Sequence, residues 1–369
     1  MQEEIYSLDG KVHDKERLKE LQALPLWRKI QITQARIIEW YNHFNGQVYI
    51  SFSGGKDSTV LLDIARKIFP NITAVFSNTG LEYPEIRQFA IVHDNVDTVS
   101  PKMGFVDVIK TYGYPLISKE VSEAIYYARR TDNRVKKTAI KKRNELLGLR
   151  YDSKEKSPYN KEKWLPIARN LPVLISDYCC EVMKKSPLLI YQRKTKKYPI
   201  LGTMADESRM RKQAWIRHGC NAFDSKKKSS QPMSFWTEQD VLEYIQRYQI
   251  DTCSVYGSVE QSENGKLYCT GCQRTGCIFC AYGTHLEKGE TRFQRLQKTH
   301  PKQYSYCING GEWSDNPYYD QNATSEPDEM GWVNWNPKKI WTPSREGLGM
   351  GKVFDMLNEV YGEDFIRYK

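Results

Sequence analysis

The sequence lacks a long hydrophobic run: none of its 369 residues lies in a stretch that approaches the ~18 consecutive apolar residues needed to span a membrane. The first twenty residues, MQEEIYSLDGKVHDKERLKE, are polar and have no apolar core of the kind that a signal peptide requires. Internal repeats and low-complexity tracts are also absent. These absences argue against a membrane, secreted or repeat protein, and we expect a globular protein of the cytoplasm.

Acidic residues are too few to balance the basic ones. The chain has 55 Lys and Arg against 45 Asp and Glu, a net charge of +10. Much of the excess lies in the segment 129–163, which contains thirteen basic and five acidic residues. Tyr126, Tyr127, Tyr151 and Tyr159 lie in or beside it. We name 129–163 the basic segment and expect it to contact a nucleic-acid backbone, while a solvated helix and loop remains the alternative.

Strand and helix patterns alternate along the first third of the chain. Helical spacing of apolar residues over 14–44, interrupted near Pro25, predicts two helices. Predicted strands and helices then follow each other at 48–52, 58–69, 72–80, 83–94, 97–101 and 106–113. This order predicts an α/β fold with a Rossmann-like parallel sheet and helices on both faces, whose ligands bind at the carboxyl ends of the strands.

The first predicted strand ends in Ser53-Gly54-Gly55-Lys56-Asp57-Ser58, directly before a helix. Two glycines at such a junction allow backbone N–H groups to converge on an anion, and the helix adds its positive N-terminal end. A P-loop would have four residues between its first glycine and Gly-Lys, and this loop is shorter. The pattern therefore predicts a phosphate-binding loop of another kind.

This loop resembles the pyrophosphate loop of the adenine nucleotide α-hydrolase superfamily, which includes the ATP pyrophosphatases and the PAPS and APS reductases. SNTGLEYPE at 77–85 and GTMADESRMR at 202–211 are similar to two further motifs of these proteins. The resemblance covers about residues 45–285 and implies a sheet of the HUP type. With it we expect an N-terminal helical segment at 1–46, a nucleotide-binding α/β domain at 47–250 with a basic insertion at about 127–165, and a cysteine-rich and Trp-rich region at 251–369.

The resemblance also implies the site residues. Lys56, Asp57 and Ser58 are the expected catalytic residues: Lys56 and Mg²⁺ would neutralise a departing pyrophosphate, and Asp57 would orient the metal. An acceptor oxygen would attack the α-phosphorus of ATP, and sulfur would then displace AMP. The expected nucleotide contacts are Ser51, Ser53, Gly54, Gly55, Lys56, Asp57, Ser58, Asn78, Thr79, Gly80, Glu82, Gly202, Glu207, Ser208 and Arg211.

Nine cysteines in a reducing compartment are more typical of metal or redox chemistry than of disulfides. The adjacent Cys179 and Cys180, together with Cys277-x-x-Cys280, are similar to the iron–sulfur pattern of the assimilatory APS reductases. The resemblance implies a four-iron, four-sulfur cluster on these four thiolates. Two alternatives remain open, zinc on Cys269, Cys272, Cys277 and Cys280, or a cluster in which Cys272, Cys220 or Cys307 replaces one of the adjacent pair.

Three features favour ATP over a sulfonucleotide. Lys56 and Ser58 are both present, as in enzymes that split ATP; no cysteine follows Cys307, whereas the reductases resemble one another in a nucleophilic cysteine near the C-terminus; and Met204 stands where the signature has arginine. We expect an ATP-dependent, AMP- and pyrophosphate-forming enzyme that transfers sulfur to nucleic acid, with a cysteine desulfurase as one candidate donor. The alternatives are a PAPS or APS reductase that forms sulfite, and a nucleic-acid-binding defence or regulatory module with a nucleotide-sensing site.

Overall fold

A computed structural model describes residues 13–132, 136–150 and 153–369. Its helices in chain order are α1 (Lys15–Gln22), α2 (Leu26–His43), α3 (Lys56–Arg66), α4 (Pro84–Ile91), α5 (Phe105–Tyr112), α6 (Lys119–Ala128), α7 (Lys136–Leu146), α8 (Leu165–Asn170), α9 (Tyr178–Cys180), α10 (Ser186–Thr195), α11 (Arg209–His218), α12 (Glu238–Tyr248), α13 (Arg292–Thr299), α14 (Pro301–Ile308) and α15 (Met350–Tyr361). Within the described ranges, no helix is both long enough and apolar enough to cross a membrane.

The strands are short, and most of them lie in the first two thirds of the chain. In order they are β1 (Val48–Phe52), β2 (Ala74–Ser77), β3 (Val96–Val99), β4 (Leu116–Ile117), β5 (Tyr198–Leu201), β6 (Asn221–Ala222), β7 (Ser229–Ser230), β8 (Val259–Gln261), β9 (Leu267–Cys269), β10 (Ala281–Tyr282), β11 (Glu312–Asp315) and β12 (Lys339–Thr342).

The chain divides into two units that interleave along the sequence. The first unit combines the residues up to Pro101 with Ser186–Cys277, and the second combines Lys102–Lys185 with Ile278–Lys369. The domain limits expected after residues 46 and 250 remain predictions, and the contacts of the chain divide it at other positions.

A six-stranded sheet in the order β3-β2-β1-β5-β7-β6 forms the centre of the first unit. Its neighbours pair in parallel except for β6 and β7, which are antiparallel. Ile50 pairs with Ala74 on one side of β1 and with Ile200 on the other, so β1 is an inner strand. Its apolar run Val-Tyr-Ile suits a strand covered on both faces. The predicted α/β fold with a parallel sheet is confirmed.

The helices of the first unit follow the predicted pattern closely. α1 ends at Gln22 and α2 begins at Leu26, with Pro25 at the N-cap, as the break near Pro25 predicts. Helix α3 buries Val60 and Ile64, which belong to its predicted apolar face. It begins two residues earlier than predicted and ends at Arg66, because the glycine loop itself provides its N-cap.

The second unit contains two small two-stranded sheets besides its helices. β4 pairs in parallel with β10, and β11 pairs with β12 in an antiparallel arrangement that places Trp313 opposite Trp341. Residues 308–345 show no regular sequence pattern, and β11 and β12 are not predicted, because four residues are too few to show a clear alternation. The helix predicted at 350–362 is confirmed as α15.

A buried ion pair joins α2 to α12 in the first unit. The ammonium of Lys29, which is 1% exposed, lies 2.7 and 2.6 Å from the two carboxylate oxygens of Asp240 and also donates to the Gln22 carbonyl. Asp240 is the N3 residue of the capping box that Thr237 begins, as the sequence predicts. One carboxylate therefore neutralises a buried lysine and caps a helix.

Replacement of Lys29 by Met should destabilise the protein by about 3 to 5 kcal/mol, because it leaves the Asp240 carboxylate without its partner in the interior. Denaturant unfolding measures the change. The matched control is Arg247→Met, which removes the exposed pair of Arg247 with Glu243 and should cost about 0 to 1 kcal/mol. Similar losses of stability in the two variants would contradict this account.

Candidate functional site

A cavity of about 360 Å³ opens at the carboxyl ends of β1 and β5, where α3 begins. The strand order places these two ends side by side. It is lined by Ser51, Ser53, Gly55, Lys56, Asp57, Ser58, Leu201, Gly202, Thr203, Glu207, Arg211, Tyr256, Arg274 and Thr275. Its size is that of a small-molecule site, and the predicted loop forms one of its walls.

Gly54 makes the tight turn of the loop possible. It has φ of +70°, and an added Cβ would lie 3.0 Å from the Ile86 carbonyl oxygen, so an L-residue would be both strained and crowded. The turn is closed by hydrogen bonds from the Ser53 N–H to Ser58 Oγ at 3.2 Å and from Ser58 Oγ to the Gly55 carbonyl at 2.9 Å. The two serines thus hold the loop against the first turn of α3.

Lys56 is the first residue of α3 and is only 4% exposed. Its ammonium donates to the Gln273 carbonyl at 3.1 Å and lies 3.2 Å from Glu238 Oε1. Its backbone N–H donates to the Tyr256 hydroxyl at 3.3 Å. The lysine that the sequence assigns to phosphate is therefore inside the site, and it is held there by residues about two hundred positions away in the sequence.

Asp57 is a carboxylate of the cavity wall whose pKa is shifted from its usual value. Burial raises its pKa, the charges of Glu207 and Glu238 raise it further, and Lys56 and Arg274 lower it. Its Oδ1 atom is buried and accepts no hydrogen bond from the residues that the structure describes. The donor set, a carboxylate oxygen that accepts no such bond beside a second carboxylate in the cavity wall, fits a hard divalent cation such as Mg²⁺.

The second predicted motif contributes the opposite wall. Gly202 lies where β5 ends, and an added Cβ there would be 3.1 Å from the Asp57 carbonyl oxygen, so glycine permits this close approach. Glu207 and Arg211 line the cavity and form an ion pair with each other. Ser208 instead caps α11 by accepting the Arg211 N–H at 3.2 Å.

The third predicted motif, after β2, contributes no residue to the wall of this cavity. The Asn78 N–H donates to the Val99 carbonyl, and Thr79 donates to Glu82 through both its N–H and its hydroxyl. Gly80 has φ of +74° and completes the turn. These residues build the end of β2, and their expected contact with a nucleotide remains a prediction.

Sequence reasoning missed five residues of the cavity wall, Leu201, Thr203, Tyr256, Arg274 and Thr275. Tyr256 is 3% exposed, and its hydroxyl lies 2.6 Å from Thr275 Oγ1. Leu201 and Thr203 flank the predicted Gly202, whereas Tyr256, Arg274 and Thr275 belong to no motif with a phosphate-binding mechanism. Their proximity to the cysteines was the one available signal, and it pointed to the metal site instead.

Comparison with known proteins identifies the family of the chain. The family model of the phosphoadenosine phosphosulfate reductase domain matches residues 47–108 and 117–282, which together make up more than half of the chain. The chain belongs to this family. A solved structure of the phosphoadenylyl-sulfate (PAPS) reductase from Candida auris, in complex with phosphate, is similar over 69% of this chain and 97% of its own, with 11% identity and a TM-score of 0.33. No curated protein matches the chain.

Within this family member, the four expected cluster ligands do not all fall in one unit. Cys179, Cys180 and Cys280 belong to the second unit, and Cys277 is the last residue of the first. Cys179 and Cys180 end helix α9, which continues into a π-helical turn at Glu181–Lys185, a feature that often marks functional sites. Among the described parts of the chain, no three His, Cys, Asp or Glu residues are arranged to hold a metal ion. The cluster therefore remains a prediction.

The surroundings of the adjacent pair favour a thiolate. A hydrogen bond from Cys179, together with the charges of Lys119 and Lys184, lowers the pKa of Cys180 to about 6 against the opposing effect of burial. Burial raises the pKa of the nearby Tyr282, and negative charge on Cys179, Cys180 and Cys280 raises it further. These three cysteines thus act on one tyrosine in the second unit, and the shift of Cys180 is toward the thiolate.

The alternative ligands have other surroundings. Cys220 lies in the apolar core of the first unit, and Cys307 is fully buried in the second, where its thiol donates to Met350 Sδ at 3.5 Å. Burial raises the pKa of Cys307 well above its usual value. Cys269 and Cys272 are buried in the first unit, near the end of β9. Zinc on the CxxC pairs also remains a prediction.

Part of the basic segment is internal to the second unit. The Arg129 guanidinium donates to the carbonyls of Ile167, Ala168, Leu171 and Val173, and burial lowers its pKa. Arg143 donates to two backbone carbonyls, at 2.8 and 3.0 Å, and Lys161 lies 2.9 Å from both Glu145 and Glu120. Counting charges therefore overestimates the contact surface, because these three cations stabilise the fold.

Seven cations of the basic segment face solvent, whereas Arg130 and Lys142 are only partly exposed. The exposed cations are Lys136, Lys137, Lys141, Arg150, Lys154, Lys156 and Lys163, and Tyr159 is 67% exposed. Arg134 and Tyr151 lie outside the described residues. The first three lysines are on α7, so the outer side of this helix is the surface that best matches the predicted one.

Proposed function

We propose that the cavity binds ATP and that this family member activates an acceptor by adenylation. The observation that carries the proposal is the crowding of carboxylates around Lys56. The Lys56 ammonium lies 3.2 Å from Glu238 Oε1 and 3.7 Å from Asp57 Oδ1, and Glu207 lies in the same cavity wall. Such a site favours an anion that arrives with its own divalent cation, and a metal-bound triphosphate has this chemistry.

In the proposed adenylation, each charged residue of the loop would have a separate role. Lys56 and the N-terminal end of α3 stabilise negative charge that grows on the leaving pyrophosphate. Asp57, with Glu207 beside it, would hold Mg²⁺, which supplies neutralisation of the phosphate charge. An acceptor oxygen forms a bond to the α-phosphorus as the bond to the β-phosphate bridging oxygen breaks. A sulfur nucleophile then displaces AMP from the adenylated acceptor.

A second candidate function is the reduction of a sulfonucleotide to sulfite. The family model that matches the chain is that of the PAPS reductase domain, and this match favours the reductase more directly than it favours sulfur transfer. The two functions differ in what leaves the nucleotide, because adenylation releases pyrophosphate from ATP, whereas reduction releases sulfite from PAPS or APS and consumes an external thiol.

Replacement of Lys56 by Ala should lower the rate of pyrophosphate release from ATP by about 100-fold or more, because the leaving group loses its buried cation. The assay is run with ATP and Mg²⁺ in the presence of tRNA, DNA or neither. Lys67→Ala, an exposed lysine that follows α3, is the matched control and should retain the full rate.

Sulfite formation from PAPS with a thiol reductant, without pyrophosphate from ATP, would replace the proposed function by the second candidate. Nucleotide binding without either reaction would favour a nucleotide-sensing module.

The cysteine pattern generates a separate proposal, that Cys179, Cys180, Cys277 and Cys280 hold a four-iron, four-sulfur cluster. Anaerobically purified protein should then contain about four iron and four acid-labile sulfide per chain. Cys180→Ser should lose most of both, while Cys307→Ser, which alters a buried thiol beside Met350, should retain them. Stoichiometric zinc in place of iron would contradict the cluster.

Nucleic acid is the proposed acceptor because the outer side of α7 presents several cations. The triple variant Lys136→Glu, Lys137→Glu, Lys141→Glu should weaken binding of tRNA or DNA. It should also reduce the slope of log affinity against log salt by about 0.7 to 0.9 for each phosphate that the variant no longer neutralises. Fluorescence anisotropy across a salt series measures both. The control reverses the exposed run Lys226, Lys227 and Lys228 in the first unit and should leave the slope unchanged. Equal effects would show that binding follows net charge alone.

A further inference from the structure

Tyr256 occupies an unusual position for a residue outside the predicted loop. Its hydroxyl accepts the Lys56 N–H at 3.3 Å and lies 2.6 Å from Thr275 Oγ1. A Cβ on Gly55 would be 3.1 Å from this hydroxyl and 3.2 Å from Ser53 Oγ. The tyrosine therefore places a polar group directly beside the backbone that is built to hold phosphate.

The two hydrogen-bond partners of the Tyr256 hydroxyl determine where its own proton can be donated. A phenol oxygen has two acceptor positions and one proton. The Lys56 N–H fills one acceptor position, and Thr275 fills the other when it acts as donor. In that arrangement the tyrosine proton is left for the cavity that Tyr256 lines. An anion in the cavity favours this arrangement. Thr275 then donates to Tyr256 and Tyr256 donates to the anion, and each hydrogen bond of such a chain strengthens the next by polarisation.

We propose that Tyr256 is a phosphate-binding residue whose hydroxyl donates to an oxygen of two linked phosphates in the cavity, with Thr275 as its positioning residue. This inference rests on the proposed function for the identity of the anion, and it adds a contact that the loop motif does not contain. The Lys56 backbone N–H contacts the same hydroxyl, and the Lys56 ammonium lies 5.7 Å from the centre of the Tyr256 ring.

The ionisation of Tyr256 is compatible with this role. Burial raises its pKa to about 12, and the hydrogen bonds from Thr275 and from the Lys56 backbone oppose the shift only in part. This upward shift of the pKa suits the proposed role, because the Tyr256 hydroxyl stays protonated at physiological pH. A neutral phenol donates a hydrogen bond to an anion, whereas a phenolate would repel it.

Isothermal titration calorimetry of the full chain with inorganic pyrophosphate, in the presence of Mg²⁺, tests the inference directly. Tyr256→Phe should bind it about 10-fold more weakly or worse, because a hydrogen bond to a charged group is removed. Thr275→Val should show a smaller effect and Thr275→Ser should bind as the wild type does, because serine restores the donor. The control Tyr244→Phe removes a buried hydroxyl that donates to Asp63 at 2.6 Å and does not line the cavity, so its affinity should be unchanged.

Three results would overturn the inference: pyrophosphate binding by Tyr256→Phe at the wild-type affinity, an equal weakening in Tyr244→Phe, or no binding by the wild type. Thermal unfolding of each variant verifies that it is folded, and Thr275→Val provides a second route if Tyr256→Phe is not. A wild type that binds pyrophosphate through Tyr256 but releases none from ATP would support the inference while contradicting the proposed reaction.

Discussion

The architecture of the first unit depends on how the start of α3 is held. A buried lysine at a helix N-terminus is unfavourable by itself, since the ammonium meets the positive end of the helix and loses water. Here Gln273 offers a carbonyl, Glu238 a carboxylate and Tyr256 a hydroxyl, so both polar groups of Lys56 are satisfied. These contacts fix the glycine loop to a segment far along the chain, and that segment supplies part of the cavity wall.

Ion pairs within and beside the cavity wall partly neutralise its charged groups. Its wall contains the cations Lys56, Arg211 and Arg274 together with the carboxylates Asp57 and Glu207. Arg211 is engaged by Glu207, and Lys56 is engaged by Glu238 just outside the wall. An entering anion must therefore compete with carboxylates for the cations. A ligand that carries a divalent cation satisfies both sets of charges at once, whereas a bare anion satisfies only one.

Local patterns are enough to predict the sheet, the loop and several helix boundaries. β1 ends at Phe52 and α3 begins at Lys56, so the loop between them is visible in one short stretch of sequence. The capping box at Thr237 is likewise recognised from four consecutive positions. The contact between Lys56 and Tyr256 could not be found in this way, because no periodicity connects residues 200 positions apart. Arg129 shows a related limit: its charge is visible in the sequence, but the four carbonyls that use it are created by the fold.

Met204 gives the physical reason why membership of the reductase family leaves the substrate open. It stands where the family signature has arginine, and it is 3% exposed and belongs to the apolar core of the first unit. A sulfate has no cation to meet at that position, because a thioether neither donates a hydrogen bond nor carries charge. The glycine loop meanwhile retains both Lys56 and Ser58. A methionine in place of that arginine, together with a loop that retains its lysine, is the sequence evidence that favours the proposed activation by ATP over reduction of a sulfonucleotide.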